Sequence, residues 1–312
     1  MKSIEKIKDL LRVKSHIQSL KTDIEYQLRA NYLVDRMLHD SESGVCSVRY
    51  AKEEVIVSLT TYGKRLYNVA LAIESIMQGS MKPNRIVLWL GYELKDTPLP
   101  VAVQRQQQRG LQVEFCKDIR SHTKLIPSLK AYPDAAIITV DDDCLYDYDV
   151  VERLVNMHNA YPADILSNWV MTVAQDKKGR PELQYKWQRY GKDIGASFLN
   201  RLMGVSGVLY PPHSLDPEVM NEEVFMDICK FADDIWFYAM ALKAGTKIRK
   251  SPTHDARGMD YLDVVDMQET PLAQTNCLQQ GKMNGSDIQR IAVFDKYNLW
   301  GVYDKDHNRG NT

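Results

Sequence analysis

Three short runs, Val55-Ile56-Val57-Ser58-Leu59, Ile86-Val87-Leu88-Trp89-Leu90 and Ala136-Ile137-Ile138-Thr139-Val140, are apolar almost from end to end. Runs of this length without polar alternation read as strands covered on both faces, the condition of a parallel sheet. Between the first two, Leu66, Val69, Ala70, Ile73, Ile76 and Met77 recur at helical spacing and Pro83-Asn84 marks a turn. Residues 55–90 therefore predict a right-handed βαβ unit. A helix over about 99–109, a strand over Leu111 to Phe115 and a helix from Val150 to Asn159 extend the pattern. Ile165 to Val170 opens a more irregular half. Residues 174–203, with Tyr185, Trp187, Tyr190 and Phe198, predict a loop over a cleft whose rings either stack on sugars or anchor in the core. A helix beginning at Asp233-Asp234 ends at Lys243-Ala244-Gly245, and a short strand follows at Ile248-Arg249. Gly281 to Asp287 reads as a flexible loop, Ile291 to Phe294 as a last apolar segment, and 304–312 as a disordered tail.

Ahead of this pattern, residues 1–50 carry two helical stripes. Ile4, Ile7, Leu10, Leu11, Val13, Ile17 and Leu20 form the first; Ile24, Leu28, Leu33, Met37 and Leu38 form the second, before Ser41-Glu42-Ser43-Gly44 breaks it. A stripe of this kind needs a partner, either the main domain or a second subunit in a homo-oligomer. A helix lying on a membrane is the sharper alternative, weakened by seven acids among the first 50 residues. The expected architecture is thus α/β, a mixed, mostly parallel central sheet flanked by helices over residues 51–303, with an N-terminal helical extension over 1–50.

Composition narrows the function classes. A formal net charge of -1 over 312 residues offers no general attraction for nucleic acid. The five cysteines are scattered without metal-type spacing and read as free thiols of a reducing compartment. No apolar leader is evident near residue 1 and no stretch reaches the roughly 18 apolar residues of a membrane span, so a cytoplasmic location is expected.

Candidate chemistry gathers where the third apolar run ends in Asp141-Asp142-Asp143. Ligands of open α/β sheets collect at the carboxyl ends of strands. Adjacent carboxylates repel one another, and a hard divalent cation such as Mg²⁺ or Mn²⁺ would relieve them, although an acidic turn capping the next helix explains them too. The loop after the first strand, Thr60-Thr61-Tyr62-Gly63-Lys64-Arg65, lies at the same sheet edge and offers hydroxyls, a ring and cations suited to a nucleotide. Lys124 is either a surface lysine or a contact to that nucleotide or to the aspartates. Gly204 and Gly207 allow close backbone approach to a ligand or simply a tight turn. Asp233-Asp234 either caps its helix or supplies a general base. His254 follows a strand as a candidate metal ligand, and Lys282 could close on a phosphate.

Taken in order, Val57 to Tyr62, Lys82 to Leu90, His122 to Pro127, Thr139 to Asp143, Gly207 to Pro212 and Ala232 to Trp236 resemble bacterial GT-A (Rossmann-like) glycosyltransferases that build surface polysaccharides such as O-antigen or capsule. The likeness runs from about 54 to 300 and leaves 1–50 uncovered. It implies a nucleotide-sugar donor, most often a UDP-sugar, and a glycan or lipid-linked glycan acceptor, with peripheral contact at the inner face of the membrane. It implies Mn²⁺ or Mg²⁺ on the diphosphate, with Asp143 as principal ligand, Asp142 assisting, Asp141 on the ribose or uridine side and near the ion, and His254 as a C-terminal ligand. Thr60, Tyr62, Arg65 and Lys124 would hold the nucleotide. Asp234, seconded by Asp233, would be the base of an inverting transfer; the family pattern has Glu where this chain has Asp233. A sugar-phosphate nucleotidyltransferase is the alternative enzyme class, although the loop after the first strand lacks the glycines it would need. A non-catalytic interaction subunit of the same fold is the third reading.

Overall fold

The computed structural model describes residues 2–189, 195–255, 259–264 and 283–303, with residues 2–11 and 15 described by their backbone alone. Eleven strands and eight α-helices are named in chain order: α1 (Lys2–His39), β1 (Val55–Thr60), α2 (Val69–Met77), β2 (Arg85–Gly91), α3 (Val101–Gln108), β3 (Leu111–Cys116), α4 (Ile126–Ala131), β4 (Ala136–Thr139), β5 (Cys144–Tyr146), α5 (Val150–Ala160), β6 (Ile165–Ser167), β7 (Val170–Thr172), β8 (Asn200–Leu202), β9 (Val208–Tyr210), α6 (Glu222–Ile228), α7 (Asp233–Ala244), β10 (Ile248–Lys250), β11 (Tyr261–Asp263) and α8 (Gly285–Tyr297).

A seven-stranded sheet in the order β10-β6-β9-β4-β1-β2-β3 forms the centre. All neighbours are parallel except β9, which runs against both β4 and β6. This is the mixed, mostly parallel sheet that the apolar runs predict. Side chains alternate across the pleat: Ile56, Val87 and Ile137 join a core with α7 and α8, whereas Val55, Val57, Ile86, Leu88 and Ile138 join one with α2 and α5. Burial on both faces is what removed polar alternation from the sequence.

Thr139 pairs with Val208, so β9 enters the sheet where β4 leaves it. The chain ahead of β9, with a 3-10 turn at Gly204–Ser206, consequently stands beside Asp141 to Asp143.

Two features differ from the sequence reading, and another chooses between its alternatives. First, α1 is one continuous 38-residue helix. One side of it, Tyr26, Ala30 and Leu33, packs on Leu145 and Val264. Just beyond its end, Arg109 donates to Glu74 Oε1 at 2.9 Å and Oε2 at 3.0 Å, lies 3.5 Å from Asp40, and donates to the Glu42 carbonyl at 2.8 Å. The end of the helix is therefore tied to α2 and α3 by buried charges. Second, Trp187 and Phe198 are buried in the core, so core anchoring explains these two rings; Tyr190 falls outside the described residues. Third, Gly285 to Asp287 opens α8, where Asn284 accepts from the Asp287 N–H at 2.8 Å as a helix N-cap. Gly281, Lys282 and residues 304–312 lie outside the described residues, so Lys282 receives no structural placement.

Candidate active site

Ser58, in the middle of β1, sets the position of Lys124. Its hydroxyl donates to the Lys124 carbonyl at 2.6 Å and pairs with Ser128 Oγ at 2.7 Å, drawing the 3-10 turn Arg120–Lys124 onto the sheet. From there the buried ammonium reaches Asp141 Oδ1 at 2.8 Å and Asp233 Oδ2 at 3.1 Å. Burial alone would drive this lysine toward its neutral form, yet Asp141, Asp233 and Asp234 outweigh it and hold its pKa well above the ordinary range. Lys124 is therefore a bridge between the acidic strand end and the acidic helix start.

The three aspartates face different partners. Asp142 is buried and accepts from Thr61 Oγ1 at 2.6 Å, from Arg65 Nε at 3.0 Å and from Arg65 Nη2. These contacts pin the loop after β1 to the strand end, so Asp142 faces protein rather than open space. Burial lifts its pKa to about 6, against the opposing pull of Arg65 and Thr61. Asp143 lies 2.7 Å from Arg65 Nη2. Asp141 is raised by burial, opposed by Lys124 and reinforced by the charge of Asp143. Its backbone N–H donates to Tyr146 Oη at 2.7 Å, and that hydroxyl donates to the Val205 carbonyl at 2.8 Å. The tyrosine thus stitches the strand end to the 204–206 turn.

Asp233 and Asp234 occupy the first turn of α7, and neither caps it through its side chain. Burial would raise Asp233, but Lys124 and then His122 prevail and its pKa is lowered. Asp234 is raised to about 6, first by burial and then by the charge of Asp233. Its Oδ2 accepts the Gly204 N–H at 3.0 Å, and its Oδ1, sealed from bulk water, has no hydrogen-bond partner. A Cβ on Gly204 would stand 2.6 Å from Asp234 Oδ1 and 2.8 Å from Lys124 Nζ, so only glycine fits there without displacing both. Gly207, the second of the two glycines, has φ +91°, a conformation that favours glycine in the turn before β9. Arg201, on β8, is buried near Asp234; its Nε and Nη1 have no hydrogen-bond partner, and burial pushes its pKa down.

Other expected residues are placed as follows. Thr60 Oγ1 donates to the Trp89 carbonyl at 2.9 Å, within the sheet. Tyr62 is exposed, its ring 5.5 Å from the Arg65 guanidinium carbon. His254 does not join Asp141 and Asp143 in a ligand set. Its Nε2 lies 2.8 Å from Asp149 Oδ2 at the start of α5. Among the described residues, Asp147, Asp149 and His254 are the set of three candidate ligands whose donor atoms all lie within 4.8 Å of one another. Arg29 at 2.7 Å from Asp147 and Arg153 at 3.3 Å from Asp149 already supply counter-charge there.

Near the expected metal position, the donor chemistry suits a hard divalent ion. Asp263 on β11 pairs with Cys144 in register, and its pKa is raised first by burial and then by Asp143. The charge of Asp143 thus helps Asp141 and Asp263 retain their protons, and Arg65 at 2.7 Å from Asp143 and Lys124 at 2.8 Å from Asp141 already supply counter-charge that a hard divalent ion would share or displace. Asp263 is far away in sequence, and nothing in its local pattern advertises this partnership. Tyr146 and Arg201 had no signal as site residues; Thr61 and Gly204 were expected to face a ligand, and here they face Asp142 and Asp234.

No family model matches the chain, and no curated protein matches it. Solved structures do. The mannosyltransferase PcManGT from Pyrobaculum calidifontis, in complex with GDP-Man and Mn2+, has 12% identity, covering 92% of this chain and 81% of its own, with a TM-score of 0.42. The 4-diphosphocytidyl-2C-methyl-D-erythritol synthase of Anaerococcus prevotii has 8% identity, covering 69% and 92%, with a TM-score of 0.42. TarS of S. aureus in complex with UDP has 14% identity, covering 65% and 58%, with a TM-score of 0.42. Likeness this distant leaves the chemistry to be argued from the residues themselves.

Proposed function

We propose that this chain is a metal-dependent, inverting glycosyltransferase that moves a sugar from a nucleotide-sugar donor, most simply a UDP-sugar, to a hydroxyl of a glycan or lipid-linked glycan in cell-surface polysaccharide synthesis. The observation that carries the reading is the Lys124 bridge, which gathers a strand-end acid and a helix-start acid pair about one buried ammonium. A transfer of this kind needs both halves: anionic oxygens for the cation that accompanies the donor diphosphate, and a fixed base for the acceptor hydroxyl.

In this mechanism Tyr62 offers a ring for the base, and Asp141 and Asp143, with Asp263 alongside, would hold Mn²⁺ or Mg²⁺. The bound ion would supply stabilisation of the charge developing on the leaving diphosphate. Asp234 is the base for the acceptor proton, its Oδ2 held by the Gly204 N–H; its sealed Oδ1 meets the acceptor hydroxyl only when the 204–206 turn shifts to admit it. Lys124 keeps Asp233 ionised beside it, and that negative charge raises Asp234 toward the working pH, where a carboxylate is a more effective base. No helix among the described residues is long and apolar enough to cross a membrane, and contact with a lipid-linked acceptor would be peripheral.

Titration calorimetry with a panel of nucleotide sugars, with and without Mn²⁺, tests the reading. Metal-dependent binding of one or a few donors supports it. Release of pyrophosphate from a nucleoside triphosphate and a sugar phosphate, with no donor binding, assigns the chain to nucleotidyl transfer instead.

A further inference from the structure

The side of α1 turned away from the domain carries a second stripe. Ile17, Ile24, Asn31 and Leu38 recur every seven residues, and Val13, Leu20, Gln27 and Val34 recur every seven between them. All eight are exposed, with Ile17 at 62%, Leu20 at 59% and Ile24 at 59%. At about 100° per residue the centre of this stripe lies roughly 120° around the helix from Tyr26, Ala30 and Leu33, so the domain occupies one side and leaves the stripe bare. A strict seven-residue repeat is the pattern of a seam between supercoiled helices, because only a 3.5-residue period keeps the same line facing a partner helix.

We infer that α1 forms a parallel, two-stranded coiled coil with α1 of a second copy of this chain. Residue choice points to two strands in parallel: β-branched Ile17 and Ile24 fill one seam position, Leu20 with Val13 and Val34 the other, and a lone Asn31 meets its own copy only when the helices are parallel and in register. The area is sufficient. Covering Val13, Ile17, Leu20, Ile24, Leu28, Val34 and Leu38 removes on the order of 700 Å² per copy, close to the roughly 800 Å² per partner of a standard interface. A membrane surface fits less well, since Gln27 and Asn31 lie within the stripe and Asp23, Glu25 and Asp35 are also exposed on the helix. The pairing deepens the homo-oligomer expectation of the sequence and is independent of the reaction catalysed.

Light scattering of the full chain at micromolar concentration tests it. The expected mass is twice that of the 35.9 kDa chain. Ile17→Lys with Ile24→Lys should give the single-chain mass with unchanged helical circular dichroism, since both side chains are exposed. Ile24→Cys should form a same-site disulfide dimer under mild oxidation. A monomeric wild type, a trimer, a dimer that survives the double substitution, or no same-site disulfide would overturn the proposal. Monomers that bind anionic phospholipid vesicles through this stripe would overturn it in favour of a lipid surface. Mass reads assembly without reference to catalysis, so failure here is distinguishable from failure of the proposed activity.

Discussion

The Gly204 N–H meets Asp234 Oδ2 at 3.0 Å, leaving the other oxygen of that carboxylate without a partner. A main-chain donor does not change rotamer, so the free oxygen has one orientation, which is what a general base requires.

Replacing Asp234 by Asn should leave nucleotide-sugar affinity intact and reduce transfer by about 10²-fold or more, the scale of lost general-base catalysis. Because burial and Asp233 hold the carboxyl at about 6, above the ordinary 3.8, the base is ionised only above that pH. The wild-type rate should therefore fall as pH drops through about 6, and Asn should erase this limb. The sign for stability is opposite to that of a salt-bridged acid: the native state favours the protonated form, so stability diminishes as pH rises from 3.8 to 6, and Asp234→Asn should not lower Tm at pH 7. A normal rate in the Asn variant would place the base elsewhere.

Gly204→Ala inserts a methyl where Asp234 Oδ1 and Lys124 Nζ already stand. Transfer should drop at least tenfold, by more than donor affinity does, because the base loses its fixed orientation while Lys124 is only nudged along Asp141. Pre-steady-state rates and donor calorimetry on the same sample separate the two effects. An undisturbed rate would show that the turn has room to relax.

For Asp143→Ala, Mn²⁺-dependent affinity for the donor should vanish, while the fold remains, since Asp143 is partly exposed and its neighbour Asp142 keeps Arg65 paired. Calorimetry with and without metal is the measurement. Unchanged metal-dependent affinity would refute the assignment of Asp143 as a ligand.

Glu74→Ala addresses the junction of α1 with the domain. Glu74 is fully buried and receives two bonds from Arg109, one from Gln106 at 3.0 Å and one from Gln78 at 2.8 Å. Its removal strands a buried guanidinium, which costs about 3–5 kcal/mol. Denaturant unfolding should report a loss of that size, whereas a loss below about 1 kcal/mol would mean that Asp40 compensates.

Much of the sheet was legible because burial on both faces writes an unmistakable apolar run at β1, β2 and β4. The direction of β9 was not: Val208-Leu209-Tyr210 is apolar whichever way it runs, and its reversal depends on the turn before it. The acidic strand end was legible as a place, since strand termini and charge are both local. What the aspartates face was not local. Arg65 and Lys124 take up their charge, Asp263 arrives through a distant strand pair, and His254 meets Asp149, more than a hundred residues away in sequence. Asn284 with Asp287 three residues on was a readable cap, masked by the glycines around it.

The lone reversed strand has a further consequence. Were β9 parallel to its neighbours, the chain leading into it would begin a strand's length away, about 10 Å for three residues, and the Gly204 amide would hang below the opposite rim. Running backwards, β9 places a donor from the second half of the polypeptide beside the strand end that the first half built, so the candidate site is a seam between two stretches of chain.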